Sequence, residues 1–124
     1  MLDHSERRAD GFNAERLAET FLRGIGFRFV AANFLTRVGE IDLIMEDGAT
    51  LVFIEVKRRR NEAYGDPEES VTAAKRRRIV RSALVYLHRF GVRERLMRFD
   101  VVIVEPERIR HFPDAFDAGA WLPM

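Results

Sequence analysis

Apolar residues recur at helical spacing near the start of the chain. Ala14, Leu17, Ala18, Phe21, Leu22 and Ile25 fall on one stripe and predict a helix over residues 11–24. Asp10 is placed to cap it, and Gly24 and Gly26 to stop it. Residues 1–9 are polar and read as a frayed end. Strand-like runs follow, over 27–32 and near 38–46 and 50–58, the last two separated by Asp47-Gly48, a strong hairpin signal. Gly65-Asp66-Pro67 makes 61–69 a loop. A second helical stripe, Ile79, Val80, Ala83, Leu84 and Leu87, predicts a helix over 71–90 with Ser70 or Thr72 as cap and Gly91 as stop. The run over 97–104 predicts a last strand that Pro106 ends, and 106–124 form a tail with no assigned element. Phe112, Phe116 and Trp121 in that tail suggest that it packs back on the body. The order is αβββαβ, which predicts an α/β fold. Three antiparallel strands take a fourth in parallel by right-handed crossover, giving a mixed sheet flanked by helices on both faces.

The central hairpin breaks its own pattern. Apolar strands seldom carry charge mid-run, because an unpaired buried carboxylate is costly. Here Asp42 interrupts Gly39-Glu40-Ile41-Asp42-Leu43-Ile44, and Glu55 and Lys57 interrupt Val52-Phe53-Ile54-Glu55-Val56-Lys57. With Asp47 and Gly48 as the two turn residues, Asp42 is expected opposite Phe53 and Glu40 opposite Glu55. Strand alternation then puts Glu40, Asp42, Phe53, Glu55 and Lys57 on one face. Ile41, Leu43, Met45, Val52, Ile54 and Val56 take the other. Asp42 and Glu55 become diagonal neighbours with Cα atoms roughly 7–8 Å apart, close enough to lean onto one cation.

Composition narrows the class. At 124 residues one domain is expected. The absence of cysteine excludes disulfides and thiolate metal sites, and it fits a cytoplasmic protein. No apolar run approaches the roughly 20 residues of a membrane span. The net charge of +1 hides a segregation, because residues 56–98 hold thirteen Lys or Arg against five Asp or Glu. Arg58, Arg59 and Arg60 form one cluster beyond Lys57; Lys75, Arg76, Arg77, Arg78 and Arg81 form another. Two such clusters beside a carboxylate pair suit nucleic-acid phosphates.

Asp42 followed by Glu55-Val56-Lys57 is the pattern of the PD-(D/E)xK nucleases, with Ile41 where the name places proline. Phosphodiester hydrolysis needs a cation to offset phosphate charge and ready a water. Mg²⁺, or Mn²⁺ in its place, takes a few carboxylates and keeps waters. Asp42 and Glu55 would hold it. Lys57 could orient or deprotonate the water, or steady the phosphate charge. Glu40 shares the face as a supporting acid or a further ligand, with a plain surface acid as the alternative. Asp100 reads as a buried capping acid, and His4, His88 and His111 show no ligand spacing.

The chain resembles the YraN-like family of small bacterial proteins. The matching stretches are Gly11-Phe12-Asn13-Ala14-Glu15, Ala18, the two hairpin runs, Gly65-Asp66-Pro67, Lys75 and Arg98-Phe99-Asp100-Val101-Val102. That family is similar to archaeal Holliday-junction resolvases. The resemblance implies a restriction-endonuclease-like fold, Glu15 on the first helix as a further metal ligand, DNA as partner, branched or junction DNA as a candidate substrate, and, by analogy, a homodimer. The expected function is therefore a metal-dependent endonuclease. The alternatives are a non-catalytic nucleic-acid-binding protein of the same fold, or a structural protein whose acids only form salt bridges.

Overall fold

The first helix, α1, spans His4–Gly24 in a computed structural model that describes residues 4–59 and 71–118, with side chains from Asn13 onward. It starts well before the expected position, so residues 4–9 are helical rather than frayed and Asp10 is interior rather than a cap. Glu, Arg and Ala favour helix there, and an interior Gly11 costs only about 1 kcal/mol. The stop is as expected: Gly26 takes φ +103°, and Phe27 N–H donates to Leu22 O at 2.9 Å. Ala14, Ala18 and Leu22 are buried, whereas Leu17 and Ile25 stay largely exposed. Arg60, Gly65-Asp66-Pro67, Ser70 and Trp121 lie outside the described residues.

Strands β1 (Arg28–Leu35), β2 (Glu40–Asp47) and β3 (Thr50–Arg58) follow, then α2 (Ala73–Arg89), β4 (Met97–Val104) and β5 (Ile109–Phe116). The five strands lie in sequence order in one sheet. β1, β2 and β3 are antiparallel, β4 joins β3 in parallel, and β5 returns antiparallel to β4. β5 was not expected. Pro113 and Asp114 blur its pattern, and a proline is tolerated there because β5 is an edge strand. Phe112 and Phe116 do pack on the body, with the Phe116 ring stacked on Phe99 at 5.1 Å.

Each sheet face carries its own core. α1 covers Leu43, Met45, Val52, Ile54, Val102 and Val104. α2 covers Ile44, Phe53, Phe99 and Val101 with Ile79, Val80, Ala83 and Tyr86. Thr72 caps α2, its hydroxyl accepting from Lys75 N–H at 3.2 Å. The loop between β1 and β2 is pinned to α2. Thr36 Oγ1 accepts from Gly39 N–H at 3.0 Å and lies 3.0 Å from Ser82 Oγ. A Cβ on Gly39 would stand 3.2 Å from both Arg78 Cβ and Ser82 Oγ, so a side chain here would have to push both neighbours back by a few tenths of an ångström.

Two register details position the site. In the hairpin Asp47 pairs with Thr50 and Ile44 with Phe53, so the turn is Gly48-Ala49 and the strands are slid by two residues from the expected pairing. A two-residue slide preserves the faces. Extended one step past Leu43–Ile54, it sets Asp42 directly opposite Glu55 rather than diagonal to it. The second detail is Asn33. It lies across from Asp42 in the β1–β2 register and sits at φ +51° within its strand. Beyond that kink the alternation slips: Ile41, expected beside Leu43, joins the cluster under α2 instead.

Candidate metal and nucleic-acid site

The hairpin ladder ends where the acids begin. Past Leu43–Ile54, the Val56 N–H turns to the Asp42 side chain and donates to Oδ2 at 2.8 Å. A carboxylate thus replaces a strand carbonyl, which draws Asp42 into the gap between β2 and β3. Glu55 lies beside it on β3, only 4% exposed. Glu15 comes from α1 and is half-buried, with Asn33 Nδ2 donating to its Oε2 at 2.7 Å. The same amide donates to Glu40 Oε1 at 3.1 Å. The Asp42 carboxyl lies close enough to Glu55 and Glu15 for both charges to act on it. Three elements therefore deliver three carboxyls in series.

Crowding shows in their proton affinities. Burial, and then the charge of Glu55, push the Asp42 carboxyl up to about 9, against the Val56 hydrogen bond. Burial also raises Glu15, with the Asn33 hydrogen bond opposing it and the Glu40 charge adding to it. Burial lowers Lys57, and Lys75 lowers it further. Lys75 moves the other way: burial works to lower it, but Glu55, with Lys57 and Asp42, raises it on balance and keeps its ammonium charged.

Lys75 is closer to the site than the sequence pattern implies. Its Nζ lies 2.5 Å from Glu55 Oε1, while Lys57 Nζ lies 3.7 Å from the same oxygen. A cleft of about 280 Å³ opens over this pair, lined by Gly39, Glu40, Asp42, Glu55, Lys75, Arg78 and Ile79. Glu15 lines a second cleft with Arg16, Glu19 and Asn33, to which it is hydrogen-bonded.

The remaining basic residues divide. Arg77, Arg78 and Arg81 are exposed on α2, and Arg58 is exposed at the end of β3. Arg59 is half-buried there, its N–H bonded to Val104 O at 2.9 Å. Arg76, expected with the phosphate-binding set, instead donates to Val71 O at 2.9 Å and covers the Phe116 ring at 5.5 Å. These contacts hold the start of α2 against the sheet.

The donor chemistry fits a hard divalent cation, with a few carboxylate oxygens and open volume for water. Among the described residues, however, no three His, Asp or Glu side chains surround one point as a ready-made cage. Each acid is occupied: Glu15 by Asn33, Asp42 by Val56, Glu55 by Lys75. Asn33 escaped the sequence pattern, because its partners are 18 and 7 residues away and its only local mark is an Asn inside an apolar strand. No helix among the described residues is long and apolar enough to cross a membrane.

The profile of "Uncharacterised protein family UPF0102" matches residues 14–104. A UPF0102 protein of Symbiobacterium thermophilum is 50% identical over 113 residues, covering 87% of this chain and 96% of that one. Another, from Desulfosudis oleivorans, is 45% identical over 117 residues, covering 93% and 95%. Among solved structures, Hjc of Archaeoglobus fulgidus, a Holliday junction resolvase, aligns with a TM-score of 0.49 and 24% identity over 84% of this chain and 72% of that one.

Proposed function

We propose that this chain, which belongs to the UPF0102 family, is a metal-dependent nuclease that hydrolyses phosphodiester bonds in DNA. One observation carries the reading: Glu15, Asp42 and Glu55 converge in series from three elements, beside Lys57, under a wall of cations on α2. Asp42 and Glu55 would hold Mg²⁺ or Mn²⁺, with Glu15 completing the set and Glu40 steadying it through Asn33. When bound, the cation offsets phosphate charge and lowers the proton affinity of a bound water. Lys57 is two residues from Glu55, and its ammonium is weakened by burial, which suits a group that orients the attacking water and accepts its proton. Arg77, Arg78 and Arg81 hold the flanking phosphates. The motif's similarity to that of archaeal resolvases makes four-way DNA the first substrate to try.

The test is cleavage of labelled linear, flapped and four-way DNA in Mg²⁺, Mn²⁺ or EDTA, by the parent and by Glu55→Gln. Cleavage in metal only, lost in the variant, is the expected result. DNA binding without cleavage in either metal would instead identify the non-catalytic binding module; neither binding nor cleavage would leave the salt-bridge reading, which the Lys75–Glu55 pair favours.

The basic wall has its own test. Neutralising Arg77, Arg78 and Arg81 together should weaken binding to DNA of any sequence. The salt dependence of log K should flatten by about one unit per lost phosphate contact. An unchanged slope would make these arginines a merely solvated face. Arg76→Gln should instead lower stability and leave the slope alone, because its guanidinium is packed on Phe116.

A further inference from the structure

We propose that Lys75 is the resident counter-ion of the cleft: it holds Glu55 in the metal-free protein, is displaced when a divalent cation binds, and then turns its ammonium to a phosphate of the nucleic acid. This rests on the metal-dependent reading above and names how that site is regulated.

The argument begins with Glu55. A carboxylate that is 4% exposed needs a cationic partner, because an unpaired buried charge is strongly destabilising. Lys75 is that partner, with Nζ 2.5 Å from Oε1. Lys57 is a weaker one on the same oxygen, at 3.7 Å. A metal ligated by Glu55 would bring a second and larger charge to within about 4 Å of the Lys75 ammonium. Like charges at that distance repel strongly in a partly buried setting. The contact and the metal therefore exclude each other.

Lys75 has somewhere to go. It is rooted in the first turn of α2, at the rim of the cleft, and its side chain is 37% exposed. Its four-carbon stem is flexible. Arg78, one turn further along, lines the same cleft. Once released, the ammonium joins Arg78 on the wall where a phosphate would lie. Metal and DNA then assist each other, each raising the other's affinity by the same factor.

The first measurement uses Mn²⁺ alone, followed by the electron paramagnetic resonance of the free ion. Lys75→Gln removes the competing charge and should bind Mn²⁺ at least about tenfold more tightly than the parent. Lys75→Arg keeps a cation and should bind no more tightly than the parent. Thermal melting guards against a merely structural effect. Lys75→Gln should melt below the parent in EDTA and at or above it in saturating Mn²⁺, whereas a simple packing residue would shift both alike. The second measurement is the salt slope of DNA binding. Lys75→Gln should flatten it by about one unit in Ca²⁺ and leave it unchanged in EDTA, where Lys75 is engaged with Glu55. Equal or weaker Mn²⁺ binding by Lys75→Gln, with the parent binding normally, would overturn the counter-ion role and leave the metal site standing. Equal slopes in Ca²⁺ would overturn the turn to phosphate. No Mn²⁺ binding by either protein would overturn the metal site and the counter-ion role together.

Discussion

Replacing Asp100 by alanine is expected to cost the fold about 3–5 kcal/mol, the range for breaking a buried ion pair by removing one partner. Asp100 is fully buried in β4. Arg98 donates to it from Nε at 2.9 Å and Nη2 at 3.1 Å, His111 Nε2 lies 2.7 Å away, and Asp114 N–H donates at 3.0 Å. The network extends further. Arg98 Nη1 reaches Asp47 at the hairpin turn at 2.8 Å, and both Arg98 and His111 pack on Phe27 at the end of α1. One carboxylate therefore ties the edge strand β5, the hairpin and the first helix to β4, and alanine would leave the Arg98 guanidinium, the His111 ring and an N–H without it. Burial works to raise the Asp100 carboxyl, but the hydrogen bonds from His111 and Arg98 outweigh it and hold it below the ordinary carboxylate range. A depressed acid stabilises above its unfolded value and loses that contribution as pH falls through its folded one. The variant's deficit should thus be constant near neutrality and shrink below about pH 4. Urea denaturation at pH 7 and pH 3 measures both, with a melting point lowered by about 10–20 °C at pH 7. Amide exchange should rise first in Ile109–Phe116. A loss under about 1 kcal/mol at pH 7 would mean that the network adds little beyond packing.

Asp100 also marks the boundary of what pattern alone can show. A charge inside an apolar strand declares that it needs partners, but not where they come from. His111, which has no ligand spacing and looks incidental, is one of them, and it sits on a strand that no pattern announced. The hairpin was more legible. Its turn lies one residue later than Asp47-Gly48 implies, yet faces depend only on parity, so Asp42, Glu55 and Lys57 still gather as expected. Local chemistry reads through such an error, and distances do not: Asp42 faces Glu55 directly instead of diagonally. Asn33 and Ile41 lie beyond pattern for a different reason. Asn33 takes a left-handed conformation within β1, and Ile41 leaves the face of Leu43 in β2; nothing in the composition of either strand announces this. The basic cluster shows the same limit. Lys75, Arg76, Arg77 and Arg78 are equivalent in charge count, but the helix turns them apart. One holds Glu55, one packs on Phe116, and two face solvent.

The Asp42→Asn variant is expected to lose metal response and cleavage together while keeping the fold. The side-chain oxygen of Asn can still accept the Val56 N–H, so the hairpin geometry survives the change. What changes is charge. In the metal-free parent, burial and the neighbouring Glu55 push Asp42 up to about 9. An acid with a raised folded value binds more protons folded than unfolded, so it destabilises increasingly as pH rises from its ordinary value of 3.8 toward 9. The slope is at most about 1.4 kcal/mol per pH unit. Asn carries no such penalty. In EDTA, Asp42→Asn should therefore match the parent near pH 4 and melt above it at pH 8. Mn²⁺ reverses the order. It displaces the Asp42 proton, so parent affinity should climb as pH rises toward 9 and the parent melting point should rise with it. The variant, short of one anionic ligand, should show little of either. Melting curves of both proteins at pH 5 and pH 8, with EDTA and with millimolar Mn²⁺, make the comparison. Equal metal responses would exclude Asp42 as a ligand. A parent that is insensitive to Mn²⁺ at pH 8 would leave the acids as salt-bridge partners only, with Lys75 as the cation that they were built to hold.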